Sequence, residues 1–176
     1  SVSVRSSSSA ALREQMVTFI DKIRENGADT EAEIVERYME AAEQEGVTLA
    51  VEPFTKYTTH ICNEASQLRR LLRAVNSPRL MGLADTDVIA TTAVDTFSTF
   101  LDVIGPENLG HVHFVDGNPG GHLVPGDGVL DLDGALEKLK AIHYTGALGL
   151  EVLDRRYVFA PEAAMKQAMD WYKERI

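Results

Sequence analysis

The sequence predicts an α/β fold built from parallel βα repeats. Short apolar segments alternate with segments of helical periodicity, an arrangement typical of parallel strands joined by helices. Four of the apolar segments end in an acidic residue or a histidine, namely Glu52, Asp85, His113 and Glu151. Because barrel enzymes form their active sites at the carboxyl ends of parallel strands, this pattern predicts a site at one edge of the sheet.

Two helices are expected before the repeats. Residues 1–11 are rich in serine and have no apolar period, so they are predicted to be a flexible N-terminus, and residues 12–176 to form one domain. Apolar spacing predicts a helix over 12–24, and then a second helix that Thr30 caps and Gly46 ends.

The four repeats follow in order along the chain. Strands are predicted over 47–51, 79–84, 109–115 and 147–152. Helices are predicted after an Asn63 cap, over 94–104, over 132–142, and over 162–174 after Pro161. Right-handed crossovers between such strands give a parallel sheet, which fits either the second half of a barrel or a small doubly wound sheet.

The composition excludes several functional classes. The chain has 176 residues, fewer than the about 250 of a complete (β/α)8 barrel. Its net charge of −10 argues against binding to nucleic acid or to an anionic membrane surface. It has no apolar stretch near the about 18 residues that span a membrane. The single cysteine, Cys62, excludes an intrachain disulfide and fits a cytoplasmic location. Packing is a more probable role for Cys62 than catalysis, for which only His60 is near in sequence as a base.

Two glutamates, one aspartate and one histidine form a donor set suited to a divalent metal ion. Each carboxylate by itself could equally cap a helix or face solvent. Glu151 lies in an apolar run, where an unpaired carboxylate is costly and an ion would supply the missing charge. We expect the imidazoles of His111 and His113 to point to opposite faces of their strand, so that only one reaches the site. The loop Gly117–Gly128 lacks the lysine of a phosphate-binding loop, which disfavours phosphate binding there.

Six stretches of the chain match the sequence pattern of one enzyme superfamily. They are Leu49–Thr55, Cys62-Asn63, Ser77–Leu80, His111–Asp116, His122 with Pro125–Gly128, and Gly149–Val152. Together they resemble the xylose-isomerase-like sugar isomerases and epimerases, most closely the branch that contains fructoselysine 3-epimerase and the ketose 3-epimerases. The resemblance extends over about residues 33–152 and corresponds to the C-terminal half of the family's barrel.

The resemblance implies the C-terminal half of a (β/α)8 TIM barrel, with a divalent metal ion (Mn²⁺, Co²⁺ or Mg²⁺) held by Glu52, Asp85, His113 and Glu151. It also implies that Glu52 and Glu151 move a proton, one removing the C3 hydrogen of a ketose and the other returning a proton to the opposite face of an enediolate. His122 and Asp116 are the further candidates for contact with a small-molecule sugar.

Three positions depart from the ketose epimerases that the chain resembles. Thr58, Val88 and Pro119 stand where relatives carry a substrate-binding Glu, His and Arg, which fits a bulkier or differently substituted sugar. The favoured interpretation is a metal-dependent sugar 3-epimerase or isomerase, acting on a ketose or a fructosamine-type sugar. The alternatives are a keto-polyol dehydratase of the same superfamily and a non-catalytic barrel fragment that acts as an interaction domain. Because a half-barrel exposes sheet edges, a homo-oligomer that covers them is a further expectation.

Overall fold

A computed structural model of the protein describes residues 2–4, 31–59 and 61–175. Its strands are β1 (Val2–Val4), β2 (Leu49–Val51), β3 (Leu80–Asp85), β4 (Leu109–His113) and β5 (Leu148–Gly149). Its helices are α1 (Glu31–Glu45), α2 (Ala65–Val75), α3 (Thr86–Thr92), α4 (Phe97–Ile104), α5 (Leu132–Ala141) and α6 (Pro161–Lys173). Two short 3-10 turns are formed by Pro106–Asn108 and Arg155–Tyr157.

The strands form one sheet in chain order, β1-β2-β3-β4-β5. Strands β2 to β5 are parallel, which confirms the predicted parallel βα repeats of a partial barrel. Strand β1 was not predicted, and it pairs antiparallel with β2 through Val2–Val4. Alternation of valine and serine suits such a strand. The rest of the serine-rich N-terminus and the predicted helix over 12–24 lie outside the described residues.

The core lies where the helices pack against the sheet. Leu68 of α2 and Leu101 and Ile104 of α4 are fully buried in one cluster with residues of β2, β3 and β4. Gly82 of β3 permits this packing, because a Cβ atom at that position would lie only 2.9 Å from Leu68 Cδ2. The packed helices cover the sheet, and the parallel pairing of its strands sets the register of the residues at the strand ends.

A helix that was not predicted, α3, precedes the helix predicted over 94–104. Helix α3 begins directly after Asp85, and Ala93 ends it in the left-handed conformation with a φ of 54°. Helix α4 starts later than predicted, with Thr96 as its cap, and ends as predicted at Ile104. The prediction missed α3 because a segment with three threonines has a low helix propensity.

The loop before α2 also differs from its prediction. Glu64, not Asn63, occupies the N-cap position of α2. The Asn63 side chain instead donates hydrogen bonds to the carbonyl oxygens of Phe54 and Thr59, at 2.5 and 3.1 Å. Cys62 is buried beside it, in agreement with a packing role, whereas His60 lies outside the described residues. Among the described helices, none is long and apolar enough to cross a membrane.

Candidate metal centre

The structure brings together the four residues predicted at the strand ends. Asp85 and His113 are the last residues of β3 and β4 and are register partners. Glu52 follows β2 directly, and Glu151 lies two residues beyond β5, which is shorter than the predicted strand over 147–152. One ligand atom from each of the four lies within 4.8 Å of the others.

The imidazole of His113 occupies the middle of this group. Its Nδ1 atom is 3.2 Å from Glu52 Oε1, 3.2 Å from Glu151 Oε2 and 3.5 Å from Asp85 Oδ2. Glu52 and Asp85 are buried, whereas the side chain of Glu151 is 40% exposed. The cluster is therefore closed on the side of the sheet and open on the side of Glu151.

The two oxygens of Asp85 have different surroundings. Oδ1 accepts hydrogen bonds from the backbone N–H groups of Asp87 and Val88, both at 2.8 Å, and so caps α3. Oδ2 is buried and makes no hydrogen bond of normal geometry among the described residues, although His122 Nε2 and His113 Nδ1 lie 3.4 and 3.5 Å from it. A buried carboxylate oxygen without a partner is costly. An ion within the cluster would satisfy it, so this donor set fits a divalent cation with oxygen and nitrogen ligands.

The charges of the cluster shift the pKa values of its members. Burial alone would lower the pKa of His113, but the carboxylates of Asp85 and Glu52 beside its ring raise that pKa to about 10. Burial opposes ionisation of Asp85, but the rings of His113 and His122 lower its pKa to about 2. Burial raises the pKa of Glu151. Without a metal ion, an imidazolium at His113 therefore balances part of the carboxylate charge.

The geometry of β4 corrects one expectation. His111 and His113 lie on the same face of the strand, with ring centroids 5.3 Å apart in an edge-to-face arrangement. Residues two apart in a strand share a face, so the expectation of opposite faces was wrong. Gly149 of β5 lies against both rings, and a Cβ atom there would be 2.8 Å from His111 Nε2 and 3.2 Å from His113 Cδ2. A side chain at position 149 would therefore displace at least one of these rings or hold β5 farther from them.

His122 lies beside the cluster, as its candidate role requires. Its Nε2 atom is 3.4 Å from Asp85 Oδ2 and 3.5 Å from Glu151 Oε2. Its Nδ1 atom is 2.9 Å from Oδ2 of Asp87, a buried residue that the sequence reasoning missed. In the sequence, Asp87 is marked only by its position two residues after the ligand candidate Asp85. Acidic residues occur so often at such positions that this spacing does not predict a role.

Asp116 is placed differently from the other candidates. Its carboxylate is buried and accepts hydrogen bonds from four backbone N–H groups, at distances of 2.8 to 3.0 Å, donated by Gly117, Gly126, Gly128 and Leu130. These bonds hold the loop 117–130 in shape. Contact of Asp116 with a substrate stays a prediction, but the bonds that it makes are structural.

The same loop offers little to a phosphate group. Of its backbone N–H groups, four are bound by Asp116, and those of Gly120 and His122 are bound by Asp87 at 2.5 and 3.0 Å. Two buried carboxylates thus occupy the positions that an anion would take. This agrees with the sequence, in which the loop lacks the lysine of a phosphate-binding loop.

The sequence of the chain matches the family model of the xylose isomerase-like TIM barrel over residues 9–175. The chain belongs to this family. It is 29% identical over 144 residues to fructoselysine 3-epimerase of Escherichia coli O157:H7, covering 81% of this chain and 51% of that protein. This member of the xylose isomerase-like family therefore spans about half the length of the curated relative.

Two solved structures have similar folds. The 3-keto-D-glucoside 4-epimerase of E. coli superposes with a TM-score of 0.70 at 23% identity, covering 81% of this chain and 53% of that one. A D-psicose 3-epimerase, solved in the presence of D-fructose, superposes with a TM-score of 0.62 at 25% identity, covering 69% and 40%. The family and the partial barrel fold predicted from the sequence are both confirmed.

Metal affinity is expected to rise with pH. The pKa of His113 is about 10 without metal, so its ring is protonated between pH 6 and 8 and must lose a proton when it becomes a ligand. For each proton released, the Kd for Mg²⁺ should fall about tenfold per pH unit across this range. Calorimetric titrations in buffers of different ionisation enthalpy would count the protons. A Kd that does not change with pH would show that metal binding releases no proton, which would contradict a protonated His113 that becomes a ligand.

Proposed function

We propose that this chain carries the metal centre and the proton-transfer residues of a sugar epimerase or isomerase, one that acts next to the carbonyl of a ketose or fructosamine-type sugar. The observation that supports this most is the convergence of three carboxylates and one imidazole within 4.8 Å at the strand ends. Its relatives include fructoselysine 3-epimerase, which favours epimerisation at C3.

The proposed ligands of a divalent ion (Mn²⁺, Co²⁺ or Mg²⁺) are Glu52, Asp85, His113 and Glu151. When bound, such an ion supplies Lewis-acid stabilisation of the negative charge that develops on the sugar oxygens. Asp85 provides Oδ2, which makes no hydrogen bond of normal geometry within the described part of the chain, and its Oδ1 bonds to α3 keep the carboxylate from rotating.

The proton-transfer residues are Glu52 and Glu151. In the order β2-β3-β4-β5 they follow the two outer parallel strands, so Asp85 and His113 lie between them. Inversion at a carbon requires a base on one face and an acid on the other, and two separated carboxylates meet that requirement. Burial raises the pKa of the metal-free Glu151 carboxyl, so more of it holds a proton near neutral pH than of an ordinary carboxyl group, which favours Glu151 as a proton donor.

The direct test is hydrogen exchange at C3. The purified chain with Mg²⁺ is incubated in D₂O with fructoselysine and, separately, with D-fructose, and products are followed by NMR. We expect deuterium at C3 together with the C3 epimer, and loss of both when a chelator removes the metal. Loss of water from the sugar would instead identify a dehydratase. Absence of exchange by a metal-loaded chain would show that the chain alone is not the enzyme.

A further inference from the structure

Asp87 and His122 form a buried pair beside the proposed metal centre. Asp87 is 1% exposed and the side chain of His122 is 14% exposed. The carboxylate of Asp87 accepts the ring Nδ1–H of His122 at 2.9 Å. Asp87 is the second residue of α3, two positions after the proposed ligand Asp85. The pair therefore links a rigid helix to the loop that carries the histidine.

Asp87 also fixes the backbone around His122. Its oxygens accept the N–H groups of Gly120 at 2.5 Å and of His122 at 3.0 Å. Gly117 packs so closely on Asp87 that a Cβ atom there would lie 1.8 Å from Oδ1. His122 itself has a φ of 48°, in the left-handed region that costs energy for residues other than glycine. Several contacts thus hold His122 in an unfavourable conformation, an arrangement associated with functional sites.

The Asp87 contact decides which way the ring of His122 faces. Because Nδ1 is directed to Asp87, Nε2 is directed to the cluster, where it lies 3.4 Å from Asp85 Oδ2 and 3.5 Å from Glu151 Oε2. Glu151 is the ligand on the open side of the cluster, with a side chain 40% exposed. The backbone also joins the segments that carry His122 and Glu151, because Leu153, two residues after Glu151, donates its N–H to the carbonyl of His122 at 3.1 Å.

His122 is already a candidate for contact with the sugar, and its Nε2 faces the open side of the cluster beside Glu151. We infer that Asp87 is the positioning residue that holds the His122 ring so that Nε2 can hydrogen-bond a sugar oxygen there. The inference rests on the proposed function, which it deepens by naming the residue that supports the sugar contact. A sugar that reaches the open side of the cluster meets Glu151 and His122 together. An imidazole whose second nitrogen is held by a carboxylate presents its first nitrogen in one fixed direction.

The test compares four variants: His122→Ala, His122→Gln, Asp87→Asn and the double variant Asp87→Asn/His122→Ala. We expect His122→Ala to reduce kcat/KM about 10- to 100-fold, the effect of one lost hydrogen bond to substrate. The Kd for Mg²⁺ should change less than about threefold, since the four ligands remain. His122→Gln should recover part of the loss, because its amide can reach the same oxygen.

Asp87→Asn supplies the evidence for positioning. It should show a similar reduction in kcat/KM, and the double variant should be no worse than His122→Ala, because residues that act as a unit are not additive. Additive losses in the double variant would overturn the positioning role of Asp87. A rise of more than about 100-fold in the Mg²⁺ Kd of His122→Ala would overturn the sugar contact, since it would make His122 a metal ligand.

A binding measurement separates this inference from the proposed function. Binding of D-fructose to the Mg²⁺-loaded chain is measured by NMR without any need for turnover. Weaker binding by His122→Ala in a chain that catalyses no exchange would sustain the sugar contact while the proposed function failed. Unchanged D-fructose binding and unchanged kcat/KM in His122→Ala would overturn the inference and leave the proposed function standing.

Discussion

Asp85→Asn is expected to abolish metal binding without unfolding the protein. The amide oxygen of asparagine can still accept the N–H groups of Asp87 and Val88, as Oδ1 does now, and asparagine is a good N-cap. Its NH₂ group then replaces Oδ2 and points a donor at the cation. Loss of supporting residues around metal sites weakens binding 10- to 100-fold, so loss of this ligand should raise the Kd for Mg²⁺ at least about 100-fold.

Asp85→Ala is the matched comparison. It removes both the ligand and the cap, and loss of a cap costs about 1 kcal/mol of unfolding free energy. Thermal melts with and without Mg²⁺ measure the two effects separately. The unmodified chain should gain about 2.7 kcal/mol when Mg²⁺ is present at 100 times its Kd. Both variants should lose that gain, and without metal Asp85→Ala should melt lower than Asp85→Asn, which keeps the cap. A wild-type metal response in Asp85→Asn would refute the proposed ligand set.

The candidate ligands could be predicted because they depend on local patterns. An apolar run that ends in Glu52, Asp85 or His113 predicts a buried strand, and the polar residue marks the end of that strand. Because the strands are parallel, their carboxyl ends lie at the same edge of the sheet, and Asp85 and His113 are indeed register partners. Glu151 was found in the same way, although its strand is only two residues long.

Other parts of the site depend on contacts that no local pattern encodes. The ring of His122 faces the cluster because of Asp87, which lies 35 positions earlier in the chain. Helix α3, which carries Asp87, is a short segment of weak propensity that Asp85 stabilises from its N-terminus. Asp85 was predicted as a ligand or a cap, and the structure shows that separate oxygens of one carboxylate can serve both purposes.

The largest catalytic effects are expected at Glu52 and Glu151, and hydrogen exchange can tell the two apart. Glu52→Gln and Glu151→Gln should each reduce epimerisation about 10²- to 10⁴-fold at saturating Mg²⁺, the usual contribution of an acid–base group. If each carboxylate serves one face of the carbon, each variant retains the base for one epimer only. Each should then exchange the C3 hydrogen of that epimer with D₂O and leave the other epimer unlabelled.

Asp85→Asn is the control for this experiment, because it keeps both glutamates. Loss of metal stabilisation affects both directions of the reaction, so this variant should exchange neither epimer. Complementary labelling by the two glutamine variants would therefore separate proton transfer from metal binding, although Glu52 and Glu151 are proposed to do both. Equal labelling of both epimers by either variant would contradict the assignment, since one remaining carboxylate would then reach both faces of the carbon.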